Sequence, residues 1–426
     1  MAREFKDSGI EWIGQIPKEW KVVRAKGLFV QRSTKGNSQP VLLSATQKQG
    51  MLPQYLLEGV VQTNKDTDLQ TFKTVHKNDF VISLRSFQGG FEKSDYEGVC
   101  SPAYQVFYNR APINYSYFWQ LFKSVGFIDK INSLTVGIRE GKNIQYKDFA
   151  DMYLAIPSLP EQQKIADYLD KVCGEVDEMV SLQEKMIEEL KAYKQSVITE
   201  AVTKGLNPNA PMKDSGIDWI GEIPEHWNVS VLRRFATIIL GKMLQTNAQS
   251  DDDTLEQYIC AKDVHFEGID FSDLKKMYFN KKEKETYLVM KGDMLVVEGG
   301  AGAAGSCVLN TDIPNTYIQN SIMIVRPKQD INIRYVQYFE FSLVRKGYVD
   351  FVCNKATIPH FTKDKLSSMP ISLPPLSEQQ QIASYLDTKC SEIDSLIAIK
   401  QQKIEELKEY KKSVIYEYVT GKKEVA

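Results

Sequence analysis

Two stretches of the chain carry the same helical pattern. From residue 161 to 204, apolar side chains recur at Ile165, Leu169, Val172, Val176, Met179, Met186, Leu190, Tyr193 and Val197, in alternating steps of four and three that only Gln183 interrupts. This 3.5-residue period is the seam of a coiled coil. From residue 378 the same frame holds Ile382, Leu386, Ile393, Leu396, Leu407, Tyr410 and Val414. It also places Lys389, Lys400 and Lys403 in the seam, while Ala383, Cys390, Ile397 and Ile404 form a neighbouring stripe that widens the apolar face. Each helix is predicted to start after a proline-rich stop, Pro157 to Pro160 and Pro374-Pro375, with Glu161 or Glu378 in the first turn, where the helix dipole favours an acid. The expected pairing core is Leu169, Val176, Met179, Leu190, Tyr193 and Val197 against Leu386, Ile393, Leu396, Leu407, Tyr410 and Val414. One such helix would suit an ordinary bundle equally well. Two matching seams in one chain predict an intramolecular coiled coil, antiparallel because a connecting domain has to return the chain to the start of the second helix.

The match extends beyond the pattern. Glu161 to Thr203 aligns without a gap on Glu378 to Thr420, with 24 identities in 43 positions, and Lys6 to Trp20 repeats as Lys213 to Trp227, with 11 identities in 15. Internal self-similarity of this kind determines the architecture. Between these anchors the halves diverge, although Lys77-Asn-Asp79 still faces Lys291-Gly-Asp293, and Ile113-Asn114 with Tyr117 faces Ile331-Asn332 with Tyr335. The variable parts read as compact α+β domains. Short strand-like runs, Asp79 to Leu84, Tyr104 to Tyr108, Asp293 to Glu298 and Ser321 to Val325, are bounded by turn residues and followed by aromatic helical stretches near Tyr117 to Phe122 and Tyr335 to Phe341. The predicted order is a leader (1–20), a first domain (21–157), a first helix (158–205), a linker with the repeated leader (206–226), a second domain (227–374), a second helix (375–421) and a tail (422–426).

Composition fits this order. With 42% hydrophobic residues and 19 Phe, 21 Tyr and 5 Trp in 426 residues, the chain has the means to build cores. Six scattered cysteines without a CxxC pair read as reduced thiols. The charged N-terminus and the lack of an apolar run of about 18 residues point to a soluble cytoplasmic protein. The net charge of -2 conceals unequal segments: +5 over residues 1–160, -4 over 161–205, -2 over 206–377 and -2 over 378–421. The first domain is therefore basic, and both helices are acidic.

Catalytic signatures are missing from the sequence. The four histidines, His76, His226, His265 and His360, have no metal-ligand spacing, and no GxSxG, HExxH, P-loop, NPPY-type or PD…ExK pattern occurs. Gly300-Ala-Gly302-Ala-Ala-Gly305 is a literal GxGxxG after a predicted strand. A dinucleotide site needs a helix to open at the third glycine. The residues after that glycine are Ser-Cys-Val-Leu-Asn-Thr-Asp-Ile-Pro314, rich in β-branched and turn types, which favours a glycine-rich loop approaching a partner's backbone.

The leader DSGIxWIGxIPxxW at Asp7 and again at Asp214, the helix starts at Ser158 to Gln163 and Pro374 to Gln380, and the helix end SVITEAVTKGL resemble the specificity (S) subunits of type I restriction-modification systems over essentially the whole chain. The resemblance implies two target recognition domains, each reading one half of a split DNA sequence. It also implies two methyltransferase (M) subunits clasping the helices, restriction (R) motor subunits joining them, and S-adenosylmethionine, ATP and magnesium bound by those partners rather than by this chain. The subunit itself would be non-catalytic. Base readers are then polar loop residues. In the first domain the candidates are Arg32, Lys35, Gln47, Lys48, Arg85, Ser86, Gln88, Arg139, Lys142 and Asn143, with Arg85 and Arg139 foremost because each lies close to glycine in a loop. In the second they are Lys242, Gln245, Asn247, Lys262, Asp263, Gly302, Lys355, Thr357 and His360. The competing reading is a coiled-coil scaffold presenting two protein-binding domains.

Overall fold

The computed structural model describes residues 3–36, 41–46, 49–57, 69–83, 90–134, 144–300, 302–328, 330–353 and 359–425. Two compact units emerge: Met1–Glu184 with Gln401–Ala426, and Lys185–Lys400. A unit is therefore not one sequence repeat. It joins a globular domain and the start of that domain's own long helix to the end of the helix from the other repeat.

In the first unit the leader strands Phe5–Asp7 and Gln15–Pro17 pair antiparallel. Behind them lies an antiparallel sheet in the order Phe29–Arg32, Gln105–Asn109, Phe80–Ile82, Phe91–Lys93. Helices Tyr115–Lys123 and Val125–Ser133 cover it, and the core between is rich in aromatics: Phe29, Phe80, Phe91, Phe107, Phe118, Phe122, Phe127 and Phe149 are all fully buried, beside Ile82, Leu121 and Ile131. Their rings meet largely edge to face, as between Phe29 and Phe118 at 5.2 Å.

The second unit repeats the plan with other side chains. Its leader strands are Met212–Asp214 and Glu222–Pro224, and its sheet runs Ala236–Leu240, Ile322–Pro327, Met294–Val297, Ser306–Val308. Here the sheet's share of the core is aliphatic, with Met294, Val296, Met323 and Val325 buried against Tyr335, Tyr338 and Phe339 of the domain helix. A further sheet, Lys275–Phe279, Thr254–Ile259, Thr316–Ile318, belongs to this unit. All four strand-like runs read from the sequence are strands, shifted by a residue or two at their ends, and the mixed helix and strand fold matches the expected α+β class.

The long helices span Leu159–Lys204 and Leu376–Val419. Within each unit their segments pack antiparallel. In the first, the rings of Tyr168 and Tyr418 meet at 4.5 Å, tilted by 39°, and Asp177 meets Lys411; in the second, Lys194 meets Asp394 and Gly205 approaches Glu378. The helices thus form the intramolecular antiparallel coiled coil expected from the seams.

The seam itself is displaced from expectation at four of the twelve pairing-core positions. Ala166, Leu169, Cys173, Val176 and Ile187 are buried, as are Ala383, Leu386, Cys390, Ile393, Ile404 and Val414. Leu190, Val197 and Leu407 are half-buried. Met179, Tyr193, Leu396 and Tyr410, expected in the core, are instead 51%, 58%, 48% and 52% exposed. A period of 3.5 residues leaves the phase open wherever neighbours are both apolar. Val172 competes with Cys173, Met179 with Val180, and Met186 with Ile187, and in each case the smaller or branched residue turns inward.

Candidate nucleic-acid interface

The repeated EQQ motif holds each domain to its helix. Gln162 and Gln379 are buried, and each donates to a proline carbonyl, Pro157 at 3.1 Å and Pro374 at 2.9 Å. Each also accepts from the backbone N–H of an N-cap asparagine, Asn114 or Asn332, at 2.9 Å. That asparagine in turn caps the domain helix by accepting from Tyr117 or Tyr335 N–H. The tyrosine hydroxyls then reach the end of the other repeat's long helix: Tyr117 donates to the Val419 carbonyl and Tyr335 to that of Val202. Beyond those carbonyls, Gly421 and Gly205 turn left-handed (φ +72° and +75°), packed so tightly that a Cβ would lie 3.1 Å from Trp20 and Trp227 respectively. The longest words shared by the two halves therefore dock the domains on the helices.

The sequence-derived base readers fall into three groups. Gln47, Lys48, Arg85, Ser86, Gln88, Arg139, Lys142, Asn143, Lys355 and Thr357 lie outside the described residues. A second group is committed internally, contrary to the expectation of free loop readers. Arg32 forms a two-pronged pair with buried Asp79 (2.7 and 2.9 Å) and stacks on Tyr108 at 4.4 Å. Arg326 and Asp293 repeat the clamp in the second unit at 2.7 and 2.8 Å. Lys242 is buried, donating to the Tyr278 carbonyl and to Glu283. Asp263 is buried and accepts from Cys260 N–H, fastening its own turn, and Gln245 is held by Asp253 at 2.9 Å. Burying such groups requires partners, and each has them.

The third group remains at the surface. Lys35 is exposed, its backbone bridged to that of Lys73, and burial lowers the pKa of the Lys73 ammonium. Asn247 is exposed, and Lys262 reaches Asp263 and Asp273 at the surface. The glycine loop has no helix after it. Gly305 leads straight into strand Ser306–Val308, as the rejection of a dinucleotide site requires. Exposed Gly302 sits in this loop, and exposed His360 closes on its start: a Cβ on Gly299 would lie 2.7 Å from the imidazole, whose Nδ1 is 3.2 Å from Glu298 Oε2. Gly302 and His360, distant in sequence, thus belong to one surface feature.

Sequence reasoning missed a cationic patch. Lys275 and Lys276 on their strand, with Lys281 and Lys282 opening helix Lys281–Tyr287, are exposed and form no ion pair among the described residues. They adjoin the loop after Lys242, since Tyr278 N–H donates to the Gln245 carbonyl at 3.0 Å, and that loop displays Met243 and Leu244, 75% and 56% exposed. The signal was the lysine run itself, masked by a domain net charge of -2. Among the described residues there is no cluster of His, Cys, Asp and Glu able to hold a metal ion, and no helix is long and apolar enough to cross a membrane.

Known proteins place the chain. It is 25% identical to the type I restriction enzyme MjaVIII specificity subunit of Methanocaldococcus jannaschii, across 96% of this chain and 94% of that one. It is 23% identical to the EcoKI specificity subunit of Escherichia coli K12, across 65% and 60%. The fold is shared with a chain from a structure on complex assembly and conformational transition of the type I R-M system (TM-score 0.70, 17% identity, 95% and 98% covered) and with the HsdS subunit from Thermoanaerobacter tengcongensis (TM-score 0.55, 16%, 95% and 98%). The model of the type I restriction modification DNA specificity domain matches twice, at residues 17–192 and 224–409, one match per repeat, and the chain belongs to that family.

Proposed function

We propose that this chain is the sequence-reading subunit of a type I restriction-modification complex, non-catalytic and cytoplasmic, and that it directs methyltransferase and restriction subunits to an asymmetric, two-part DNA target. The observation that carries this reading is one sheet order built twice with different side chains. Like folds meet like features of duplex DNA, and unlike loops read unlike half-sites. The paired helices set the unread spacer between the half-sites.

The helices also support the partner reading. The apolar residues turned away from the seam come in equivalent pairs: Met179 with Leu396, Leu182 with Ile399 and Tyr193 with Tyr410, all between 48% and 62% exposed. An apolar stripe that occurs twice on acidic helices fits two copies of one protein partner. In this assembly S-adenosylmethionine, ATP and magnesium are bound by the partner subunits.

The test is to assemble the chain with its methyltransferase subunit, select from randomised duplexes and sequence the methylome of a host carrying both. A two-part motif with a fixed spacer is expected. Selection of no motif, or of one contiguous site, refutes the reading.

A further inference from the structure

The duplication makes each half a template for the other, and at one place they disagree. In the second unit the hairpin Val264–His265 with Gly268–Ile269 carries Phe266 at its tip. The ring lies 4.9 Å from Phe341 and 5.7 Å from Tyr338, beneath the ammonium of Lys194 at 5.7 Å, and the Phe266 carbonyl accepts from Gln337 Nε2 at 3.0 Å. Counting from the capping asparagines, Gln337, Tyr338 and Phe341 correspond to Trp119, Gln120 and Lys123, and the helix alignment sets Lys194 against Lys411.

Those four residues of the first unit line an open cleft of about 420 Å³, together with Asp170 and Gly174. No described residue fills it as Phe266 fills its counterpart. Gly174 supplies a second observation. A glycine inside a long helix is destabilising relative to alanine, and this one, whose counterpart is Ser391, has nothing within 4 Å of its would-be Cβ. Local packing does not demand it, but a body entering the cleft would.

We infer that this cleft receives an aromatic side chain carried on a loop of the methyltransferase subunit, an inference that rests on the function proposed above. The cleft already holds what such a ring needs. Trp119 offers an aromatic wall, and Lys411 occupies the place of the cation that covers Phe266. Asp170 occupies the place of Asp387 and is already met by Gln120, the counterpart of Tyr338, and by Ser116, so the incoming ring needs no hydroxyl. The two methyltransferase copies then bind inequivalently, one bringing its own ring and one meeting a site that this chain has already filled.

The experiment compares Gly174→Phe, which fills the cleft from within, with Gly174→Ser, which installs the second-half residue, in the complex with the methyltransferase subunit. Sedimentation should show two bound copies for wild type and Gly174→Ser. For Gly174→Phe one site should weaken at least tenfold while the other is kept. Tryptophan emission on complex formation, taken as the difference between wild type and Trp119→Phe, should shift as Trp119 is covered, which tests the cleft without relying on the folding of Gly174→Phe. Two full-affinity sites in Gly174→Phe, or no Trp119 component in the emission change, overturns the inference. Failure of wild type to bind the subunit at all would instead overturn the proposed function.

Discussion

Lys194 lies in the apolar seam and donates to both carboxylate oxygens of Asp394, at 2.8 and 2.7 Å. Its counterpart Lys411 does the same to Asp177, at 2.7 Å to each oxygen. The two pairs are images of one another under the repeat, so each helix contributes one lysine and one aspartate. A lysine at a seam position costs stability unless its ammonium finds an acid, and the acid exists only in the antiparallel register. The pairs therefore select orientation more than they add stability.

Removing one partner should consequently cost more than removing both. Asp394→Asn is expected to destabilise the chain by about 1 kcal/mol, and Lys194→Met with Asp394→Asn to recover most of it, with a coupling of about 0.5–1 kcal/mol in a double-mutant cycle. Urea unfolding of the four chains measures it. Strictly additive losses would show that the pair does not specify register.

This placement also shows where sequence reading stops. Helix existence, the duplication and most strands were legible because period and repeat are properties of the chain alone. The phase of the seam was not, since Tyr193 outranks Lys194 in apolarity and only the position of Asp394 across the interface turns the lysine inward. Arg32 and Lys242 look like free loop cations until Asp79 and Glu283 are brought to them over 47 and 41 residues. The lysines at 275–282 looked ordinary because the domain's charge count balances them against acids with which, among the described residues, they form no ion pair.

The outward stripe separates stability from assembly. Tyr193→Ala with Tyr410→Ala should change the unfolding free energy of the isolated chain by less than about 0.5 kcal/mol per site, because both side chains are more than half exposed. Leu386→Ala, at a fully buried seam position, should cost about 2–5 kcal/mol. In titration with the methyltransferase subunit the tyrosine pair should weaken binding at least tenfold. Wild-type affinity for the double variant would remove the stripe from the interface.

Glu340 gives the second unit a specific pH response. It is 1% exposed, with Ser306 donating to Oε2 at 2.8 Å, and burial raises its pKa from 4.5 to about 8. Between those values the folded chain holds a proton that the unfolded chain releases, so this group's contribution to stability falls as pH rises through the window. Glu340→Gln should flatten that fall and stabilise the chain at pH 8 and above by a few kcal/mol at most. Thermal melts of both chains from pH 5 to 9 check it. Parallel curves would mean that Glu340 titrates normally.

The lysine patch predicts how the second domain meets DNA despite its negative charge. Among the described residues Lys275, Lys276, Lys281 and Lys282 pair with no acid, so phosphates are their natural counterions. Replacing all four by glutamine should leave the melting temperature unchanged, because the side chains are exposed and outside any ion pair of the described residues. It should weaken binding of the assembled complex to its target and to unrelated duplex alike, and reduce the slope of log K against log salt by about 0.9 for each phosphate no longer neutralised. Selection experiments on the variant should return the same motif, since phosphate contacts position the protein without reading bases. An unchanged salt slope would place the DNA on another face of the domain, whereas a changed motif would make these lysines base readers.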